Sequence, residues 1–323
     1  MTYFETIMVR VDVALMALIL IVLLSGGLTI FAIIAKRVFL PAPIWEGIVR
    51  PITVKMIDRL NRSSRTDFAL IIRGAIVFFI LFALSAFLIY GVEKAMMWIG
   101  YGAYSDLILI AFILSPVAIL WPAYGVSSEN VQRGHYQAIA QGLNVNLVLS
   151  DKHSLRRASA RSVAVALCDW VAAPMLIFII GGVYYAYLFF VISLMVRVSG
   201  ADTSPFVMVF GFLYRLFKIV MLPLLFTIIF AASFFAPGSK PLRTFGALKY
   251  PMHIAEATFA FSQTIVLGGA FQNRVGHAVN TPWVGPEGAT AKLEHKDVIR
   301  VLIHYGICLF LLVVSLFALT VYA

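Results

Sequence analysis

Apolar residues dominate this chain in long blocks, and polar residues collect between the blocks. Val13 to Ala35 is a clean apolar run, and Phe68 to Val92 and Leu107 to Val126 follow the same pattern. Each matches the length of about 20 helical residues that one bilayer crossing takes. Ser162 to Val198 overshoots that length, and Gly181-Gly182 falls near its middle. Two readings fit this stretch: two short helices folded back on one another, or one helix broken at the glycines. Pro205 to Pro237 and Val298 to the end are the remaining apolar blocks. Between them, Gly238 to Lys296 is long and does not span. Within it, Ile254 to Phe271 reads as a helix packed on the membrane domain and ended by Gly268-Gly269, and Asn273 to Lys296 reads as loop. Pro116 and Pro122 predict a kinked third span.

The polar segments add orientation. Lys36 to Asp67 carries seven cations (Lys36, Arg37, Arg50, Lys55, Arg59, Arg62, Arg65) against three acids (Glu46, Asp58, Asp67). The positive-inside rule makes it cytoplasmic, and the N-terminus then faces the other side. Ile48, Ile52, Met56 and Leu60 repeat every four residues and predict a short interfacial helix with a basic outer face. Ser127 to Arg161 is cytoplasmic by the same rule, and Arg156 and Arg157 extend the basic face there. His135 and His153 have no ligand spacing and read as solvated. The 238–297 stretch is cytoplasmic if Ser162–Val198 crosses once and external if it crosses twice, so its side stays open.

Composition agrees with a membrane protein. Of 323 residues, 62% are hydrophobic and 12% charged, against about 25% charged in a soluble domain; mean hydropathy is +0.95. The expectation is an all-α polytopic protein of roughly five to seven transmembrane helices, forming one integral membrane domain over residues 1–323 with interfacial amphipathic helices. A bacterial inner membrane is the expected location. The net charge of +10 sets orientation and contact with anionic lipid; it is not a nucleic-acid signature. Cys168 and Cys308 lie in apolar runs without C-x-x-C spacing and read as packing residues, with no metal site implied. No signal-peptide cleavage pattern is evident.

Candidate chemistry is confined to a few charges at membrane depth. Asp169 lies inside the longest apolar run, and an ionisable residue there is a functional candidate by default. Arg215 and Lys218 are three residues apart and share a helix face. A buried cluster of Asp169 with Arg215 or Lys218 would satisfy both. The alternative has the segment enter lipid only after Lys218, which leaves both cations at the headgroups. Arg73 can snorkel from the second span. No phosphate-binding loop, nucleophile elbow or zinc-protease motif occurs.

Several short strings add a family. Asp169-Trp-Val-Ala-Ala-Pro174 followed by Gly181-Gly182, Phe210-Gly211 with Arg215 and Pro223, Phe235-Ala-Pro-Gly238, and Leu267-Gly-Gly269 together resemble the CobD/CbiB membrane family of cobalamin biosynthesis. The basic loop before Arg73-Gly74 fits as well. The resemblance implies ATP-dependent amide formation between an aminopropanol unit, or its phosphate, and a corrinoid acid, with Asp169, Arg161 and Arg215 as candidate catalytic groups. The chain departs from the family where chemistry would sit. Arg161, Val165 and Ala166 stand where acids and an Asn would fall, Val191 to Met195 replaces a polar patch, and Phe217-Lys218 replaces paired acids. A magnesium–nucleotide complex needs carboxylates around the metal, so ATP and magnesium are expected only if the protein is an enzyme. These departures favour a non-catalytic subunit or scaffold that docks a protein partner on its basic cytoplasmic face. The alternatives are the active ligase, with a corrinoid substrate, and a transporter component that uses Asp169 with Arg215 or Lys218.

Overall fold

The structure is a computed structural model. It describes residues 3–34, 43–61, 65–117, 119–128, 135, 137, 139–140, 151–199, 205–272 and 278–322. Arg37 and Arg62 of the predicted basic face, and Lys36 of the same loop, lie outside these residues.

The protein is an all-α polytopic membrane protein. Among the described residues, five helical stretches are long and apolar enough to cross a membrane: Glu5–Leu24, Asp67–Trp98, Lys152–Gly181, Pro205–Ser233 and His295–Tyr322. The helices are α1 (Tyr3–Ile34), α2 (Ile44–Leu60), α3 (Asp67–Trp98), α4 (Ser105–Ile113), α5 (Leu120–Ser127) and α6 (Lys152–Leu167). They continue as α7 (Ala173–Gly181), α8 (Val183–Ser199), α9 (Met208–Ser233), α10 (Ile254–Gln263) and α11 (His295–Tyr322). One hairpin, β1 (Leu267–Gln272) with β2 (Ala278–Val284), is antiparallel, with a register irregularity between Leu267 and Gly269.

Local chemistry sets several boundaries. Thr66 Oγ1 accepts the Ala69 N–H at 3.4 Å at the start of α3, and Asp151 Oδ1 accepts the Ser154 N–H at 3.1 Å at the start of α6. The hydrogen bonds from Ser154 hold the Asp151 carboxyl below its usual range, against a smaller opposing effect of burial.

The long central run folds back on itself. Twenty-four residues of unbroken helix would hold Asp169 and Ser193 about 36 Å apart. Instead, Ser193 Oγ donates to Asp169 Oδ2 at 3.2 Å. The reversal lies at Gly182, whose φ of +93° favours glycine. Its N–H still bonds Phe178 O at 2.7 Å, and its carbonyl already accepts the Ala186 N–H at 3.2 Å, so α8 begins at once. Arg10 of α1 closes over this turn and donates to Ile180 O at 3.1 Å.

Pro174 disturbs α6–α7 just before that turn. A proline cannot donate to the carbonyl four residues back, and its ring crowds that carbonyl. Residues Cys168–Ala172 form a π-turn, and the Ala173 N–H bonds Cys168 O. The carbonyl that Pro174 cannot serve belongs to Trp170, and it accepts the Ser115 N–H at 3.1 Å. Ser115 lies in the break between α4 and α5, beside Pro116, whose carbonyl accepts the Tyr305 hydroxyl of α11. The expected kink in the third span is therefore a full break. Pro122 sits in the first turn of α5, where no donor is needed.

Two segments differ from expectation. The helix expected over Ile254–Phe271 ends at Gln263, capped by Thr264 in a left-handed conformation (φ +58°). Gly268-Gly269 belongs to β1 instead, and part of the expected loop is β2. A Cβ on Gly268 would stand 2.2 Å from Pro282 O, so the glycine admits the facing strand, which is the other physical use of a Gly pair.

Candidate functional site

The buried core of the bundle holds a string of ionisable side chains. Asp169 is at its centre, on the π-turn, and is 1% exposed. Its Oδ2 accepts from Tyr214 Oη of α9 at 2.6 Å and from Ser193 Oγ of α8 at 3.2 Å. Arg197 Nε, one turn after Ser193, stands 3.7 Å from the same oxygen. Asp169 Oδ1 is buried without a hydrogen-bond partner.

Arg197 links Asp169 to a second acid. Its guanidinium grips Glu46 of α2 with both outer nitrogens, at 3.0 and 2.7 Å, and lies over the Trp170 ring at 5.5 Å. Arg50, one turn along α2, adds a bond to Glu46 at 2.7 Å. Burial alone would raise the Glu46 carboxyl, but Arg197 and Arg50 outweigh it and hold the group below the usual carboxylate range.

On the other side, the Lys218 ammonium lies 4.7 Å from the centre of the Tyr214 ring. Lys218 is also within electrostatic range of Glu256 of α10. Glu256 stands 4.0 Å from Arg161 Nε and 3.4 Å from His253 Nδ1. Burial would raise this carboxyl too, but Lys218, His253 and Arg161 drive it far below its ordinary value. The string therefore runs Glu46, Arg197, Asp169, Tyr214, Lys218, Glu256, Arg161, across α2, α8, the π-turn, α9, α10 and α6.

Measured against the expected residues, Asp169 is central and Arg161 is at one end. Arg197 stands within ion-pair distance of Asp169, and Lys218 reaches it through the face of Tyr214. Arg215 is half-buried on α9, one residue beyond Tyr214. Glu46, Arg197, Tyr214, Ser193 and Glu256 were not singled out by sequence. The signal was there in part: Glu46/Arg50, Ser193/Arg197 and Tyr214/Lys218 are all i, i+4 pairs on one helix face.

The basic face needs three corrections. Arg156 and Arg157 are buried, at 6% and 8% exposure, because carbonyls that helix and hairpin ends leave unpaired capture them. Arg156 donates to Ser127 O and Leu293 O, both at 3.2 Å. Arg157 donates to Gly268 O at 3.2 Å and Ala291 O at 2.5 Å, and lies over the Trp283 ring. Arg50 is turned inward to Glu46. Lys55, Arg59 and Arg65 are exposed, as a basic face requires.

The residues that α2 turns toward the bundle are not those of the predicted apolar stripe. Trp45, Glu46, Val49, Thr53 and Ile57 are buried, while Ile48 and Ile52 are exposed. The ion pairs of Glu46 fix the rotation of the helix. His135 is not solvated but buried, edge-on to Trp121, and its ring fills the space over Gly125; burial lowers its pKa. His153 binds Leu293 O at 2.9 Å.

The string can hold charge, position a proton-bearing group against Asp169 Oδ1, or lock six elements together. Among the described residues, no three His, Cys, Asp or Glu side chains converge as a metal site. The acids are separated by the cations that they bind. This donor set does not fit the carboxylate cluster that a magnesium–nucleotide complex takes. Comparison of the chain with protein-family models, with curated proteins and with solved structures finds no match.

Proposed function

We propose that the protein is a non-catalytic membrane subunit or scaffold, a divergent relative of the CobD/CbiB family in a bacterial inner membrane. One observation carries this reading: the buried carboxylates are already matched to cations of the same chain, Glu46 to Arg50 and Arg197, Asp169 to Arg197, and Glu256 to Arg161. Groups engaged in this way rigidify a bundle, and these carboxylates sit beside cations rather than converging on the metal of a reacting phosphate. Among the described residues, the exposed cations Lys55, Arg59 and Arg65 are the part of the predicted basic face that is available to a protein partner. The test is affinity purification from its native membrane, with and without Lys55→Glu/Arg59→Glu/Arg65→Glu. A stoichiometric partner that the triple variant loses supports the reading. Purification of a lone, folded protein counts against it.

A second reading is the corrinoid ligase itself. It is favoured by Asp169 Oδ1, a buried carboxylate oxygen without a protein partner. Incubation with a corrinoid acid, aminopropanol phosphate and Mg-ATP tests it. Amide product that Asp169→Asn abolishes would replace the scaffold reading.

A further inference from the structure

The segment after α9 has a feature that the buried string does not use. Pro241–Lys249 is a nine-residue 3-10 helix. With three residues per turn, side chains three apart eclipse one another, so such a helix has three straight rows. One row, Thr244 and Ala247, is fully buried. The second, Leu242, Phe245 and Leu248, is 78%, 52% and 45% exposed. The third carries Arg243 and Lys249, both exposed, with Gly246 between them, and exposed Lys240 precedes the helix.

The helix is held firmly against α10. Lys240 N–H bonds Ser262 O at 2.7 Å, and Gly246 gives the Phe261 ring room, since a Cβ there would sit 2.2 Å from it. Phe245 packs on Phe226 and Phe230 of α9, with ring centres 5.6 and 5.3 Å away. The exposed apolar row therefore continues the apolar surface of a candidate span, and exposed Phe234 and Phe235 lie at the join. Among the described residues, Lys240, Arg243 and Lys249 have no carboxylate partner.

We propose that residues 240–249 form an interfacial anchor for anionic phospholipid. Leu242, Phe245 and Leu248 seat in the outer acyl region of one leaflet, and Lys240, Arg243 and Lys249 meet its headgroups. An apolar row beside a cationic row is the arrangement that such a surface takes. Among the described residues the cations have no carboxylate partner, which leaves them to phosphate, and an adjoining span fixes the depth of the row.

The test uses the full chain in bilayers, labelled with bimane at Leu242→Cys, with Cys168 and Cys308 buried. Brominated acyl chains are supplied on either anionic or zwitterionic phospholipid at equal mole fraction. The expected result is quenching by both, with the anionic lipid enriched at the label. Adding Arg243→Gln and Lys249→Gln should reduce that enrichment roughly fivefold per cation at low salt, while quenching by lipid persists. Equal quenching by both lipids overturns the headgroup preference. Quenching by aqueous iodide instead of lipid, or protection from both, overturns the anchor and places the row in water or against a protein.

Discussion

Arg197 lies between two acids, bonded to Glu46 and 3.7 Å from Asp169, so the three side chains are coupled. Removing one member of a buried ion pair costs about 3–5 kcal/mol, because the remaining charge is left in a low-dielectric site. Glu46→Gln should therefore destabilise strongly, since it strands Arg197 and weakens the hold on Arg50. Asp169→Asn keeps one oxygen to accept from both Tyr214 and Ser193 and leaves Arg197 its bonds to Glu46. Its cost should be smaller, about 1–3 kcal/mol. Unfolding of the purified variants in detergent checks the order. A larger loss for Asp169→Asn would mean that Asp169, not Glu46, is the main counter-charge. Sequence located Asp169 because a carboxylate in an apolar run stands out. It missed Glu46 because that residue sits in a basic loop, where an acid looks ordinary.

At the level of elements, close backbone approach decides where helices meet. A Cβ on Gly74 would fall 1.8 Å from Phe206 O, so α3 could not keep its distance to the turn before α9. Gly74→Ala should abolish the folded state or shift that contact, and expression with retained oligomeric homogeneity would contradict this. Gly182→Ala should cost about 1–3 kcal/mol for its backbone conformation alone, and the Cβ would also crowd Arg10 at 3.0 Å. The β1–β2 hairpin depends on Arg157, which donates to Gly268 O and Ala291 O. Arg157→Leu should therefore make 267–291 sensitive to protease while the helices remain protected. Sequence foresaw the Gly181-Gly182 reversal as one of two readings, because a run too long for one crossing must break somewhere. It missed the hairpin because a Gly pair that ends a helix and one that admits a facing strand look alike before a partner is known.

For the whole molecule, acid sensitivity follows from two carboxylates outside the spans. Glu46 and Glu256 are both held below their ordinary value of 4.5. The unfolded chain takes up those protons first, so their contribution is complete above about pH 4.5 and is lost as the pH falls toward the folded values. The melting temperature in detergent should fall as the pH drops below about 4.5, across a window of about pH 5 to 3. The Glu46→Gln/Glu256→Gln variant should be less stable at pH 6 but show a flatter slope. An unchanged slope would mean that other acids control the response. The architecture as a whole was legible, since apolar runs of bilayer length allow little besides helices. The string was not, because its members come from six elements whose neighbours only the folded chain reveals. The exchange between Trp170 and Ser115 bears on how such a bundle is made. Ser115 leaves the ribosome before Trp170 does. Until then its amide has no protein acceptor, and an unpaired amide is poorly tolerated in hydrocarbon. The α4–α5 segment should therefore wait at the translocon or at the bilayer surface, and settle only when the Pro174 helix arrives to complete it.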